Sequence, residues 1–176
     1  MMIDREFEKV LATIPPDLKP SPKSMRANVL LRTVMASLRP FKGTSATTLL
    51  SDCKMQGLLE KKCNNKRILQ INQYTRRYVI LDFIQNLLLF KHYDKDDHAN
   101  NSTEIKFEDI LACDNIIAYK QTNYVVKSKP YNWQFNVNTK NREYCLYTTS
   151  EQERYMWMTC FECIVDFNQK RFEMSD

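Results

Sequence analysis

Glycine is nearly absent: the 176 residues contain two. Tight hairpins of the kind that need a left-handed glycine are therefore not expected, and any sheet should turn through longer polar connections. Histidine is as scarce, with His92 and His98 both in the polar stretch "HYDKDDH". A G-x-S-x-G elbow, a G-x-x-x-x-G-K phosphate loop and an H-E-x-x-H helix are all missing, so the common catalytic frameworks are excluded. No apolar run approaches the roughly 20 residues of a membrane-spanning helix. The chain starts acidic and amphipathic rather than with a basic and then apolar leader, and FEMSD at the end carries no prenylation box, so neither secretion nor lipid anchoring is expected.

The cysteines, at 53, 63, 113, 145, 160 and 163, lack the density of a secreted disulfide framework. Reduced thiols and a cytoplasmic location are expected. Cys160 and Cys163 form a C-x-x-C with no second pair, which leaves a zinc ion two ligands short, and both read as buried or half-buried thiols. Residues 92–98, with His92, Asp94, Asp96, Asp97 and His98, carry neither an EF-hand pattern nor a glycine turn and read as a solvated loop. No metal or cofactor is expected.

What the chain does have is a globular balance of 43% hydrophobic and 27% charged residues, in a length that suits one domain plus an extension. The net charge of +5 is unevenly spread. From Lys19 to Ser51 there are Lys19, Lys23, Arg26, Arg32, Arg39 and Lys42, with no acid. Such a segment seeks an acidic surface.

Residues 4–14 place Phe7, Val10, Leu11 and Ile14 on one face of a short helix ended by Pro15 and Pro16. A second helix is expected from about Pro22 to Leu38, with Ala27, Leu30, Leu31, Val34, Met35 and Leu38 on one side and Asn28, Arg32 and Arg39 on the other. Its apolar arc has no Trp or Phe, which favours packing on protein over lying on a membrane. "GTSATTLLSD" is a linker that closes a basic helical extension over residues 1–52.

From there β-rich runs replace helical periodicity: Gly57–Lys61, Tyr74–Leu81, Leu87–Tyr93, Glu104–Ile110, Ile116–Tyr119, Trp133–Thr139 and Glu143–Thr148. Ser150 and Glu153 then form a capping box, and Trp157, Cys160, Phe161, Ile164 and Phe167 make the apolar stripe of a terminal helix. An antiparallel sheet of this size curls or splits, and a helix carrying a tryptophan would plug the end that cannot close. The compact domain spans residues 53–170, with a short tail over 171–176.

Residues 55–167 resemble a pleckstrin-homology domain. "QGLLEKK", with Gly57, Leu59 and Lys61, is similar to its first strand and "RRYVIL" to its second. "WQFNVNTKNREYCLYTTSEQERYMWMTCF" is similar to its sixth and seventh strands and helix. The resemblance implies a mainly β fold: a seven-stranded, partly open barrel of two near-orthogonal antiparallel sheets, capped by the C-terminal helix, with Trp157 packed into the barrel end.

The resemblance also implies a lipid test. Lipid-binding members grip headgroup phosphates with the pattern K…[KR]-x-R, which Lys61 and Arg77 match, but the middle position is Thr75, and Arg76 falls on the other face of the strand. Each charge-assisted hydrogen bond contributes about 1.5–3 kcal/mol, so one missing cation weakens headgroup affinity by about ten- to a hundredfold. Lys62, Lys66 and Arg67 in the first loop are the remaining candidate grips.

The expected function is a non-catalytic adaptor. The barrel is a platform, and Lys23, Arg26, Arg32, Arg39 and Lys42 of the extension clamp an acidic protein surface, such as a cytoskeletal or ciliary assembly. The alternative is phosphoinositide-dependent membrane recruitment. Nucleic acid is disfavoured, because the aromatics fall at strand positions meant for the core and no ribonucleoprotein signature interrupts them.

Overall fold

The computed structural model describes residues 24–38, 53–62, 74–92, 102–115 and 133–174, with side chains from residue 29 onward in the first stretch. The expected helix over 4–14, the linker, Tyr93 and the expected strand over 116–119 lie outside the described residues. Helix α1 runs Ser24–Leu38 and helix α2 runs Glu151–Glu173. Between them lie β1 (Lys54–Lys62), β2 (Tyr74–Asp82), β3 (Leu87–His92), β4 (Thr103–Lys106), β5 (Ile110–Asn115), β6 (Trp133–Thr139) and β7 (Glu143–Thr148).

All the described strands are hydrogen-bonded antiparallel in the order β4-β3-β2-β1-β7-β6-β5. The expected barrel is thus one ladder, and its two halves meet at β1. This strand pairs with β2 along its whole length and with β7 at Glu60–Tyr147 and Lys61–Leu146. The sheet does not close. Its edge strands β4 and β5 are neighbours in sequence, joined by a single 3₁₀ turn over Phe107–Asp109 whose Phe107 is buried.

Period-two alternation decides which side chains fill the barrel. Leu59, Val79, Leu81, Leu88, Phe90, Phe135, Val137, Tyr144 and Leu146 point inward and are buried. Helix α2 covers the open side along β5, β6 and β7. Trp157 is 1% exposed and stacks near Phe161, with ring centroids 6.4 Å apart. It lies over Gly57, where even a methyl group would sit 3.4 Å from its ring. Cys160, Phe161 and Ile164 continue the buried stripe, and Phe167 is half-buried.

The capping box starts α2 where expected: the Glu153 N–H donates to Ser150 Oγ at 3.1 Å. The Glu153 carboxylate reaches one residue further back than the usual pattern and accepts from the N–H and hydroxyl of Thr149. Acids in the first turn and Lys170 and Arg171 in the last complement the helix dipole.

Helix α1 lays Leu30, Leu31, Val34, Met35 and Leu38 into the same core and packs against α2. Cys163 and Ser37 meet across that seam at 3.6 Å.

Two expectations need correction. Glu104–Ile110 is not one strand: β4 stops at Lys106, the chain turns through Phe107–Asp109, and Ile110 opens β5. The turn is held from outside, because Asn168 of α2 donates to the carbonyls of Phe107 and Ile110 at 2.7 and 3.1 Å. The lack of glycine also does not force long turns everywhere. Residues 83–86 join β2 to β3, with Asp82 accepting from the N–H groups of Ile84 and Gln85 and Asn86 taking the left-handed conformation at φ 57°. Asn and Asp do this work because their short polar side chains bond locally and tolerate that region.

Candidate functional site

The open end of the barrel, where β1 ends and β2 begins, gathers the cations singled out from sequence. Lys61 faces Thr75 across the ladder and Arg77 faces Leu59, so all four share one face of the sheet. Leu59 is fully buried, so that face is the barrel interior, and Lys61 and Arg77 stand where it reaches the mouth.

The floor of the mouth is aromatic. Phe90 and Tyr144 stack with centroids 5.0 Å apart and planes 14° apart. Lys61 Nζ lies 5.1 Å from the Tyr144 centroid and 5.4 Å from that of Phe90. Arg142, just before β7, brings its guanidinium carbon to 4.4 Å from the Tyr144 ring. Arg77 Nη1 donates to the carbonyl of Arg76 at 3.0 Å, and His92 sits opposite Arg77 on β3. Among the described residues, the inner face at this end includes Lys61, Thr75, Arg77, Phe90, His92, Thr103, Arg142 and Tyr144, and none of these is a carboxylate.

The other candidates are dispersed. Lys62 is exposed at the end of β1 and paired with Tyr74, on the opposite face from Lys61. Its charge acts on the Cys145 thiol, which burial and then Glu143 raise and Lys62 partly lowers. Arg76 faces Glu60 on that outer side, as alternation requires. Lys66 and Arg67 lie outside the described residues, as do Lys23, Arg39 and Lys42. Arg26 belongs to α1. Arg32 is half-buried. Trp157 holds the core position expected of it.

Arg142 was missed in the sequence, although its signal is there: in "REYCL" it stands two residues before Tyr144 and so shares that residue's face.

The geometry sets what an anion would gain at this mouth. A cation against an aromatic face is stabilised by about 0.5–2 kcal/mol, and a hydrogen bond from a cation to phosphate contributes about 1.5–3 kcal/mol. Lys61 would exchange one for the other, so its net gain on meeting phosphate is small.

The PH domain family profile matches residues 53–165, more than half of the chain. No curated protein matches. Among solved structures, the N-terminal PH domain of human ARAP2 is 16% identical, with a TM-score of 0.43, over 71% of this chain and 84% of that one. The PH domain of human oxysterol binding protein-related protein 11 is 14% identical, with a TM-score of 0.46, over 67% of this chain and 84% of that one. Inner Membrane Complex Sub-compartment Protein 3 from Toxoplasma gondii is 10% identical, with a TM-score of 0.44, over 85% of this chain and 89% of that one. With the seven-stranded open sheet and its capping helix already in hand, the profile match makes the conclusion plain: this chain belongs to the PH domain family.

Proposed function

We propose that this PH module is a non-catalytic adaptor that docks to a protein partner with an acidic surface, rather than a phosphoinositide-dependent membrane anchor. PH domains as a class are protein- and lipid-binding modules. The observation that favours the protein side is the state of the mouth: the Lys61 ammonium rests against Phe90 and Tyr144, Arg77 is engaged with the Arg76 carbonyl, and Thr75 stands at the middle phosphate position. The acid-free stretch from Lys19 to Ser51 supplies positive charge for an acidic assembly, such as a cytoskeletal or ciliary one. Because the apolar arc of α1 is already packed on α2, this stretch acts through its polar side.

The experiment is flotation of the full chain with vesicles that each contain one phosphoinositide, beside a Lys61→Ala/Arg77→Ala variant. Binding no greater than to plain anionic vesicles is expected. Selective binding that the double variant loses would overturn the adaptor reading and make the mouth a headgroup site.

A further inference from the structure

The outer face of β1–β4 is apolar where a solvated sheet face should be polar. Across the ladder Leu58 faces Tyr78, Ile80 faces Leu89, and Leu87 faces Asp82. Their strand neighbours Leu59, Val79, Leu81, Leu88 and Phe90 fill the barrel, so β2 and β3 are apolar on both sides. In antiparallel sheets with one wet face the pattern alternates, and continuous runs such as "YVIL" and "LLLF" mark strands covered on both faces. Neither described helix packs here, since α2 lies on β5–β7 and α1 on α2.

The rim is cationic. Lys91 stands opposite Tyr78, Lys106 opposite Leu87 and Lys54 opposite Asp82. Of the nearby acids, Asp82 is buried against Lys54 at 3.5 Å and Glu60 is buried, while Glu104, opposite Leu89, and Glu108, 3.9 Å from Lys106, are exposed. Among the described residues, no acid stands opposite Lys91 in the ladder.

We propose that this face docks an acidic amphipathic helix of a protein partner. The proposal rests on the protein-docking reading above and names the surface and the chemistry of its occupant. From strand and residue spacing the patch measures about 10 by 14 Å, which two to three turns of helix cover. A stripe of apolar side chains at three- and four-residue spacing lies along Leu58, Ile80 and Leu89, and glutamates on its flanks reach Lys54, Lys91 and Lys106. A membrane is the poorer occupant. Side chains that anchor in lipid bury about 5–10 Å into the headgroup boundary, whereas Ile80 is 7% exposed and Leu58, Tyr78, Leu87 and Leu89 are half-buried on a sheet face from which none of them projects far.

The test titrates the isotope-labelled full chain with a synthetic helical peptide that has leucines on one face and glutamates on its flanks. Comparison peptides are a scrambled one and one with lysines for the glutamates. Amide shifts centred on Leu58, Ile80, Leu87 and Leu89, and weak at Lys61 and Arg77, are expected, with at least tenfold weaker binding by Lys91→Glu/Lys106→Glu and a matching gain for the lysine peptide. Both lysines are exposed, so the variant is expected to fold. Equal binding of the scrambled peptide, no shifts, or shifts centred on Lys61, Arg77 and Tyr144 would overturn the proposal. So would phosphatidylserine vesicles perturbing these amides where the acidic peptide does not, or concentration-dependent self-association through them. Flotation that Lys61→Ala/Arg77→Ala abolishes and Lys91→Glu/Lys106→Glu leaves intact would refute the adaptor reading alone, so the two failures are distinct.

Discussion

Trp157 contributes to this fold through shape. Its ring is buried over Gly57, the position on β1 where a larger side chain would meet it, and Phe161 backs it one turn along α2. Trp157→Ala is expected to lower stability by about 3–5 kcal/mol, read from urea unfolding, because the cavity it leaves is walled by strands that collapse little. A wild-type midpoint would show that the barrel end is not closed by this ring. Cys113 makes a second residue-scale case. Burial, then Glu162, then Asp114, push its thiol from an ordinary 9.0 up to about 12. Below pH 9 the thiol is protonated in both states and its contribution is complete; between about 9 and 12 the unfolded chain loses a proton that the folded one keeps, so stability falls as pH rises. Denaturant midpoints at pH 8 and pH 10.5 should therefore decline, with a shallower decline in Cys113→Ala. An identical slope in the variant would refute the assignment. The residue-scale reading of Trp157 was legible because its helix carries a capping box and an unbroken stripe. Arg142 was legible by alternation beside Tyr144, whereas only the pairing of β1 with β7 brings Lys61 to the same ring.

At the scale of elements, the corner between β4 and β5 is where sequence reasoning failed. "EIKFEDI" has enough β-branched and aromatic residues to pass for one strand, and nothing local says that Phe107–Asp109 should turn. The decision comes from Asn168, 58 and 61 residues away, whose amide takes two carbonyls of that corner. It thus ties the end of α2 to the gap between the sheet edges. Asn168→Leu keeps the volume and strands both carbonyls, which should cost about 1–3 kcal/mol in thermal or chemical unfolding. Hydrogen exchange should rise first at Lys106–Ile110. Unchanged protection there would mean that the bonds to Asn86 and Lys140 hold the corner instead. The β2–β3 turn offers the opposite lesson, because "DFIQN" reads as a connection from sequence and Asp82 and Asn86 close it without glycine.

For the whole molecule, the question is whether α1 is an appendage or part of the domain. Its buried face shares one hydrophobic cluster with α2 and the barrel. Leu38→Ala, at a fully buried position, should therefore lower the stability of the entire chain by about 2–5 kcal/mol, in one transition seen equally by far-ultraviolet dichroism and by tryptophan fluorescence. Two separate transitions, with the tryptophan signal unmoved, would mark α1 as an independent unit. The distribution of function follows the same plan. Helices occupy the open side of the barrel, which leaves two surfaces of different character, a cationic mouth floored by aromatics and an apolar outer sheet rimmed by lysines.

The sequence alone determined the local decisions. The capping box, the apolar stripe of α2, the inward face of each strand and the apolar arc of α1 all follow from spacing of three, four or two residues, and such spacing survives without knowledge of partners. Tertiary structure decided everything that depends on register and on contacts across many residues: the single open ladder joined at β1, the corner held by Asn168, the docking of α1 on α2, and the meeting of Lys61 and Arg142 over one stacked pair of rings. Local propensity acts over a few residues of chain, whereas a mouth or a rim is assembled from strands whose neighbours in space are far apart in sequence.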